Sequence, residues 1–169
     1  GFNCRMHSIL LGELLTAAGI YNRFVCCQPA DKNNDPDCHV VNIVWLPELN
    51  KWAMIDSDMH EYVTDDNGIP MSLEEMRNAL IEDKEFNIKS FDGFKIDKEY
   101  LKAYWTKNLY YFSNYGTYGY SLEDDTVEHD SNELFFYLYP YNDIKNCGKI
   151  NDRLYITNDK EAFWAKPNL

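Results

Sequence analysis

The chain has 169 residues, 45% of them hydrophobic and 15% aromatic, and a formal net charge of −12 at pH 7. That length fits one domain with its own core, residues 1–169 throughout. The charge opposes a phosphate backbone, and the Lys and Arg residues are scattered rather than gathered into a stripe, which sets aside nucleic acid and anionic membrane surfaces as partners.

In chain order, Arg5 to Ala18 reads as a helix with apolar residues on several sides (Met6, Ile9, Leu10, Leu14, Leu15), the pattern of a helix surrounded by protein. Gly12, Glu13, Thr16 and Gly19 interrupt the Ser8–Ile20 stretch, the nearest approach to a membrane-length apolar run, so no span is expected. Gly19 supplies the helix stop. Arg23 to Cys27 is a short β-rich run, followed by a polar loop through Asp37. Cys38–Leu46 and Lys51–Asp56 read as two strands around the turn residues Pro47 and Asn50, a hairpin with apolar residues on both faces and hence covered on both.

Asp65-Asp66-Asn67-Gly68 marks a tight turn, and Ser72-Leu73-Glu74-Glu75 has capping-box spacing, which predicts a helix starting there. Asp97 to Phe112 follows as a second scaffold helix. Gly116 to Asn132 is acidic and turn-rich. Leu134–Tyr139 and Arg153–Ile156 read as strands before a short helix near Lys160–Trp164.

Five cysteines, at positions 4, 26, 27, 38 and 147, form an odd set with no CxxC, which suits neither a disulfide framework nor a structural zinc site. A Cys38–Cys147 or Cys27–Cys38 bridge is open to the chain in an oxidising compartment; otherwise Cys26, Cys27 and Cys147 read as small apolar packing residues. A metal site from Cys38, His39, His60 and Cys26 or Cys27 has poor spacing, and no cofactor is implied. The N-terminus has no basic flank or cleavage pattern, but Gly1 reads equally as a cut end, so no compartment is assigned.

Thiol catalysis needs a partly ionised cysteine, and the first turn of a helix lowers a thiol pKa because its unpaired N–H groups favour thiolate. Cys4 stands there behind Asn3, a fitting N-cap. His39 opens a strand just past a polar loop, where an imidazole can reach a cleft edge. A four-residue turn at 47–50 sets Val41 opposite Asp56, which leaves His39 one diagonal step from Asp56 on the same face; a five-residue turn without a bulge would put the two on opposite faces. His60, four residues after Asp56, is the rival base.

The segments Asn3-Cys4-Arg5-Met6-His7-Ser8 to Ala18-Gly19-Ile20-Tyr21-Asn22-Arg23-Phe24-Val25, Asp37-Cys38-His39-Val40-Val41-Asn42-Ile43-Val44-Trp45 and Lys51-Trp52-Ala53-Met54-Ile55-Asp56 resemble the nucleophile helix, His strand and Asp strand of the transglutaminase-like superfamily. Less specifically, Glu61-Tyr62-Val63-Thr64-Asp65 through Met76-Arg77 and the terminal Phe163-Trp164-Ala165-Lys166-Pro167 are similar to uncharacterised bacterial members. The resemblance implies an α+β fold with a papain-like core, the nucleophile helix packed on an antiparallel sheet, and helices upstream of the thiol that this chain does not carry. It implies Cys4 as nucleophile, His39 as general base and acid, and Asp56 as the carboxylate on the imidazole. The expected activity is that of a thiol hydrolase or acyltransferase working through a Cys thioester on a protein or peptide amide, with hydrolysis favoured over crosslinking. The alternative is a catalytically inert binding module on the same fold, with the tyrosines from Tyr104 to Tyr120 as its surface.

Overall fold

The structure, a computed structural model, describes residues 3–31, 37–115, 135–138, 148–151 and 154–167. Helix α1 (Cys4–Ala17) opens on Asn3, whose Oδ1 accepts the Met6 N–H at 3.1 Å. It closes in a left-handed Gly19 (φ 75°), with the N–H groups of Gly19 and Ile20 donating to Thr16 and Leu15 carbonyls. That pairing satisfies the orphan carbonyls of the last turn and needs a residue that tolerates positive φ. Strands β1 (Asn22–Gln28), β2 (His39–Leu46) and β3 (Lys51–Asp56) follow as antiparallel neighbours.

Pairs Leu46↔Lys51 and Asn42↔Ile55 show the register a four-residue turn requires, with Asn50 left-handed at φ 50°. Strand β4 (Glu61–Thr64) leads to the turn at 65–68, where the Asp65 carboxylate accepts the Asn67 and Ile69 N–H groups. Ser72 and Glu75 then form the capping box of α2 (Leu73–Ile81). The remaining elements are β5 (Asn87–Ser90), α3 (Lys98–Asn108), β6 (Tyr111–Tyr115), β7 (Phe135–Leu138), β8 (Gly148–Asn151), β9 (Leu154–Thr157) and α4 (Lys160–Phe163). The strands form one sheet in the order β5-β4-β3-β2-β1-β6-β7-β9-β8, antiparallel except between β7 and β9. The fold is therefore α+β.

Both faces of the central strands are covered. Val25, Val41, Ile43, Met54, Leu73, Met76, Leu101, Trp105 and Phe112 share one buried cluster beneath α2 and α3. The terminal segment closes part of it, with Trp52 donating its indole N–H to the Trp164 carbonyl and Arg23 donating to the carbonyl of Ala165. Helix α1 crosses the opposite face through small and polar groups. Ser8 Oγ donates to the Val40 carbonyl at 2.7 Å, Asn42 Nδ2 donates to the Ser8 carbonyl at 3.0 Å, and a Cβ on Gly12 would lie 3.1 Å from Asn22 Oδ1. The glycine is there because the helix and the strand approach too closely for a side chain.

Two expectations are corrected, and three strands are added to those expected. Helix α1 is not surrounded by protein: Met6, Ile9, Leu10 and Leu14 are between 45% and 61% exposed, because its sheet contact uses Ser8 and Gly12 instead of the large apolar residues. The helix expected over Asp97–Phe112 ends at Asn108; its apolar stripe continues as β6, where Phe112 stays buried by strand pairing with β1 and β7. Strands β4, β5 and β8 were not read as strands from the sequence: β4 opens on a charged residue, and β5 and β8 each carry a single isoleucine among polar residues and glycine, whereas the equally short β7 and β9 are rich in aromatic and branched residues. The acidic stretch Gly116–Asn132 and Cys147 lie outside the described residues.

Candidate active site

Three residues singled out from the sequence come together beside a cavity of about 580 Å³, with Cys4 and His39 on its wall and Asp56 buried behind them. Cys4, in the first turn of α1, hydrogen-bonds the imidazole of His39 at the start of β2 and also receives the backbone N–H of Val40. His39 is 2% exposed, and its Nε2 meets Asp56 Oδ2 at 2.5 Å, which leaves Nδ1 for the sulfur. Asp56, at the end of β3, has no exposed surface, and its other oxygen accepts the Asp58 and Met59 N–H groups at 2.9 and 3.1 Å. Every part of this carboxylate is thus tied to the ring or to the turn beyond it.

The electrostatics follow from those contacts. The hydrogen bond to His39 lowers the Cys4 pKa, against partial burial, and the Val40 N–H adds to that effect. Burial disfavours imidazolium, but the bonds and charges of Asp56 and Cys4 outweigh it and push His39 up to about 10. Both shifts favour thiolate beside imidazolium, the arrangement in which sulfur is a strong nucleophile and the ring holds a proton ready to give.

Two residues of α3 enclose the imidazole, and neither was assigned to the site from the sequence. The rings of Tyr104 and Trp105 stand edge-on to His39, with centroids 5.5 and 5.6 Å away. Trp105 donates its indole N–H to Glu61 Oε1 at 2.6 Å, and Glu61, paired across the strands with Asp56, is fully buried with Oε2 unpartnered. Burial and the neighbouring Asp56 push Glu61 up to about 7. A signal for Glu61 existed in principle, since an acid at the first position of a strand next to a catalytic carboxylate is costly; the strand itself was not read from the sequence.

Glu61 dictates a pH effect on stability. Its folded pKa of about 7 lies above the ordinary carboxylate value of 4.5. Its contribution is therefore full below about 4.5 and is lost as pH rises through about 7, a loss of about 3 kcal/mol. Glu61→Gln, shaped like the neutral acid, is expected to be less sensitive between pH 5 and 8 than wild type in urea unfolding. Parallel pH curves for the two proteins would show that Glu61 does not titrate in this range.

The other histidine near this end of the sheet stands apart. His60, the rival base, sits left-handed at φ 59°, meets Asp92 at 2.5 Å and stacks on Phe94, and it does not line the cavity. His7, one turn beyond Cys4, forms an ion pair with Asp58 at 2.7 Å. Lys107 spans from α3 to Asp37 at 2.6 Å on the cavity wall. Among the described residues no group of three His, Cys, Asp or Glu is arranged to hold a metal ion, and no helix is long and apolar enough to cross a membrane.

Compared with family models, curated proteins and solved structures, the chain matches none.

Proposed function

We propose that this chain is a transglutaminase-like thiol catalyst that opens an amide or peptide bond through a thioester on Cys4. The observation that carries the reading is the unbroken line from Cys4 sulfur through the His39 ring to Asp56, closed off by two backbone donors. The nucleophile helix against an antiparallel sheet is the arrangement a papain-like core supplies, and it supports the same assignment.

The chemistry runs through this chain's own groups. The Cys4 thiolate attacks the carbonyl carbon, and a first-turn N–H such as that of Cys4, where backbone donors lack intrahelical acceptors, is the donor this reading assigns to the developing oxyanion. His39 gives its proton to the departing amine as the C–N bond breaks, leaving a thioester and a neutral imidazole. Water then attacks the thioester with His39 taking its proton, and the carboxylic acid leaves as thiolate reforms. Asp56 fixes the ring's orientation and balances its charge in both halves. Cys4 is only partly buried, so solvent reaches the acyl sulfur, which supports hydrolysis over transfer to an amine.

The pH dependence of such a reaction has a defined sign. Activity is expected to fall on the acid side as Cys4 gains a proton below its lowered pKa, and on the alkaline side as His39 loses its proton at about 10. The test is acyl capture: a glutamine- and amide-bearing peptide mixture is incubated with protein and hydroxylamine, and hydroxamates are read by mass spectrometry. Wild type should form them and Cys4→Ala should not. Equal yields from both proteins, or no yield from a protein whose Cys4 is demonstrably reactive, would return the inert binding module as the better reading.

A further inference from the structure

We propose that Cys26 and Cys38 are a disulfide-forming pair at the wall of the cleft. The register of β1 against β2 sets Cys27 opposite His39 and Cys26 opposite Val40. Cys38, two residues before Val40, therefore falls on the same face as Cys26, one diagonal step away. The two thiols are in hydrogen-bond contact, and Gln28, opposite Cys38 when the register is continued, donates its Nε2–H to the Cys26 sulfur at 3.5 Å. Cys27 is completely buried on the opposite face with His39, so the Cys27–Cys38 bridge left open by the sequence does not fit this sheet.

The members of the pair differ in access, and the difference sets the order of events. Cys38 is exposed and lines the cavity; Cys26 is partly buried, with its thiol pushed up to about 11 by burial and by its neighbour. A soluble disulfide such as oxidised glutathione meets Cys38 first. The Cys38 thiolate attacks one glutathione sulfur, the S–S bond breaks, and one glutathione leaves as thiol. Cys26 then loses its proton to solvent and attacks the Cys38 sulfur of the mixed disulfide, expelling the second glutathione. The pair is oxidised by two electrons, which reduce one oxidised glutathione to two thiols. The new bond closes the polar loop between β1 and β2 and ties down the start of the strand that carries His39.

The proposal does not rest on the thiol-catalyst reading, and Cys4→Ala serves as its background. The full chain carrying Cys4→Ala is incubated with oxidised glutathione, then mapped by proteolysis and mass spectrometry without reduction. The expected product is lighter than the reduced protein by about 2 Da, the two hydrogens lost in forming one S–S bond. It should yield a peptide pair joined at Cys26 and Cys38. Adding Cys26→Ser should stop the reaction at a stable glutathione adduct on Cys38, because the resolving thiol is gone, and adding Cys38→Ser should prevent both products. A bond from Cys38 to Cys27 or Cys147, or a persistent Cys38 adduct while Cys26 is intact, would overturn the assignment.

Discussion

Iodoacetamide at pH 7 is expected to modify Cys4 ahead of the buried thiols, and His39→Ala is expected to slow that modification by roughly tenfold. Alkylation requires thiolate, and a free thiol near pKa 8.5 is only a few per cent ionised at pH 7. In wild type the His39 hydrogen bond holds the Cys4 pKa down, with help from the Val40 N–H. Removing the ring leaves partial burial and the Asp58 charge, both of which favour the neutral thiol. The thiolate fraction then falls, while a more basic thiolate regains part of the loss in intrinsic nucleophilicity, and a net slowing of about tenfold is expected. Cys26 and Cys27 are poor competitors because burial pushes both thiols up. The contrast is read across pH, since ordinary thiols lose reactivity about tenfold per unit on the acid side and a thiol with a lowered pKa starts that loss at lower pH. Mass-spectrometric rates for each cysteine, measured on wild type and His39→Ala at several pH values, check this. A Cys4 that reacts equally slowly in both would remove the ion pair from the account.

The largest loss of stability is expected from Asp56→Ala, about 3–5 kcal/mol, the range found when one partner of a buried charge pair is deleted. Asp56 and His39 are 0% and 2% exposed, so no water stands ready to replace the lost carboxylate. The deletion also leaves the Asp58 and Met59 N–H groups without an acceptor. Asp56→Asn should cost less, since an amide oxygen can still accept from the backbone. It should also lower the His39 pKa, because the charge that sustains imidazolium is gone. In wild type the raised His39 pKa contributes fully below about 6.5 and is lost as pH rises through about 10. The wild-type advantage over Asp56→Asn should therefore shrink across that interval in urea unfolding. A constant difference between the two proteins would place the stabilising effect of Asp56 in its backbone bonds alone.

What the sequence revealed and what it hid divide along physical lines. His39 and Asp56 could be set on one face on paper because strand periodicity is two, on condition of a four-residue turn around Pro47 and Asn50, and the resemblance added Cys4. The observed Asn42↔Ile55 pairing is that register. Ser72 and Glu75 announced α2 because a capping box is a local contact between neighbours in sequence. Helix α1 misled because apolar residues on all sides carry no direction, and the face it turns to the sheet is chosen by Ser8, Gly12 and Asn42 through close polar contact. The end of α3 was hidden because Leu109 and Phe112 are buried in either conformation. Glu61 and Trp105 were invisible as a pair: they are 44 positions apart and meet only once the sheet and α3 have packed.

The hydrogen bonds of Asp56 have a mechanical side. The turn after β3 supplies Asp58 and Met59 to the cleft wall, and its two amides hang from the same carboxylate that steadies the imidazole. The wall and the base's anchor therefore move as one lever with Asp56 as its pivot. Anything pressing Met59 outward pulls on that pivot before it reaches the ring. Deuterium uptake at the Met59 amide consequently acts as a gauge of how firmly His39 is held, readable in a protein doing no chemistry at all.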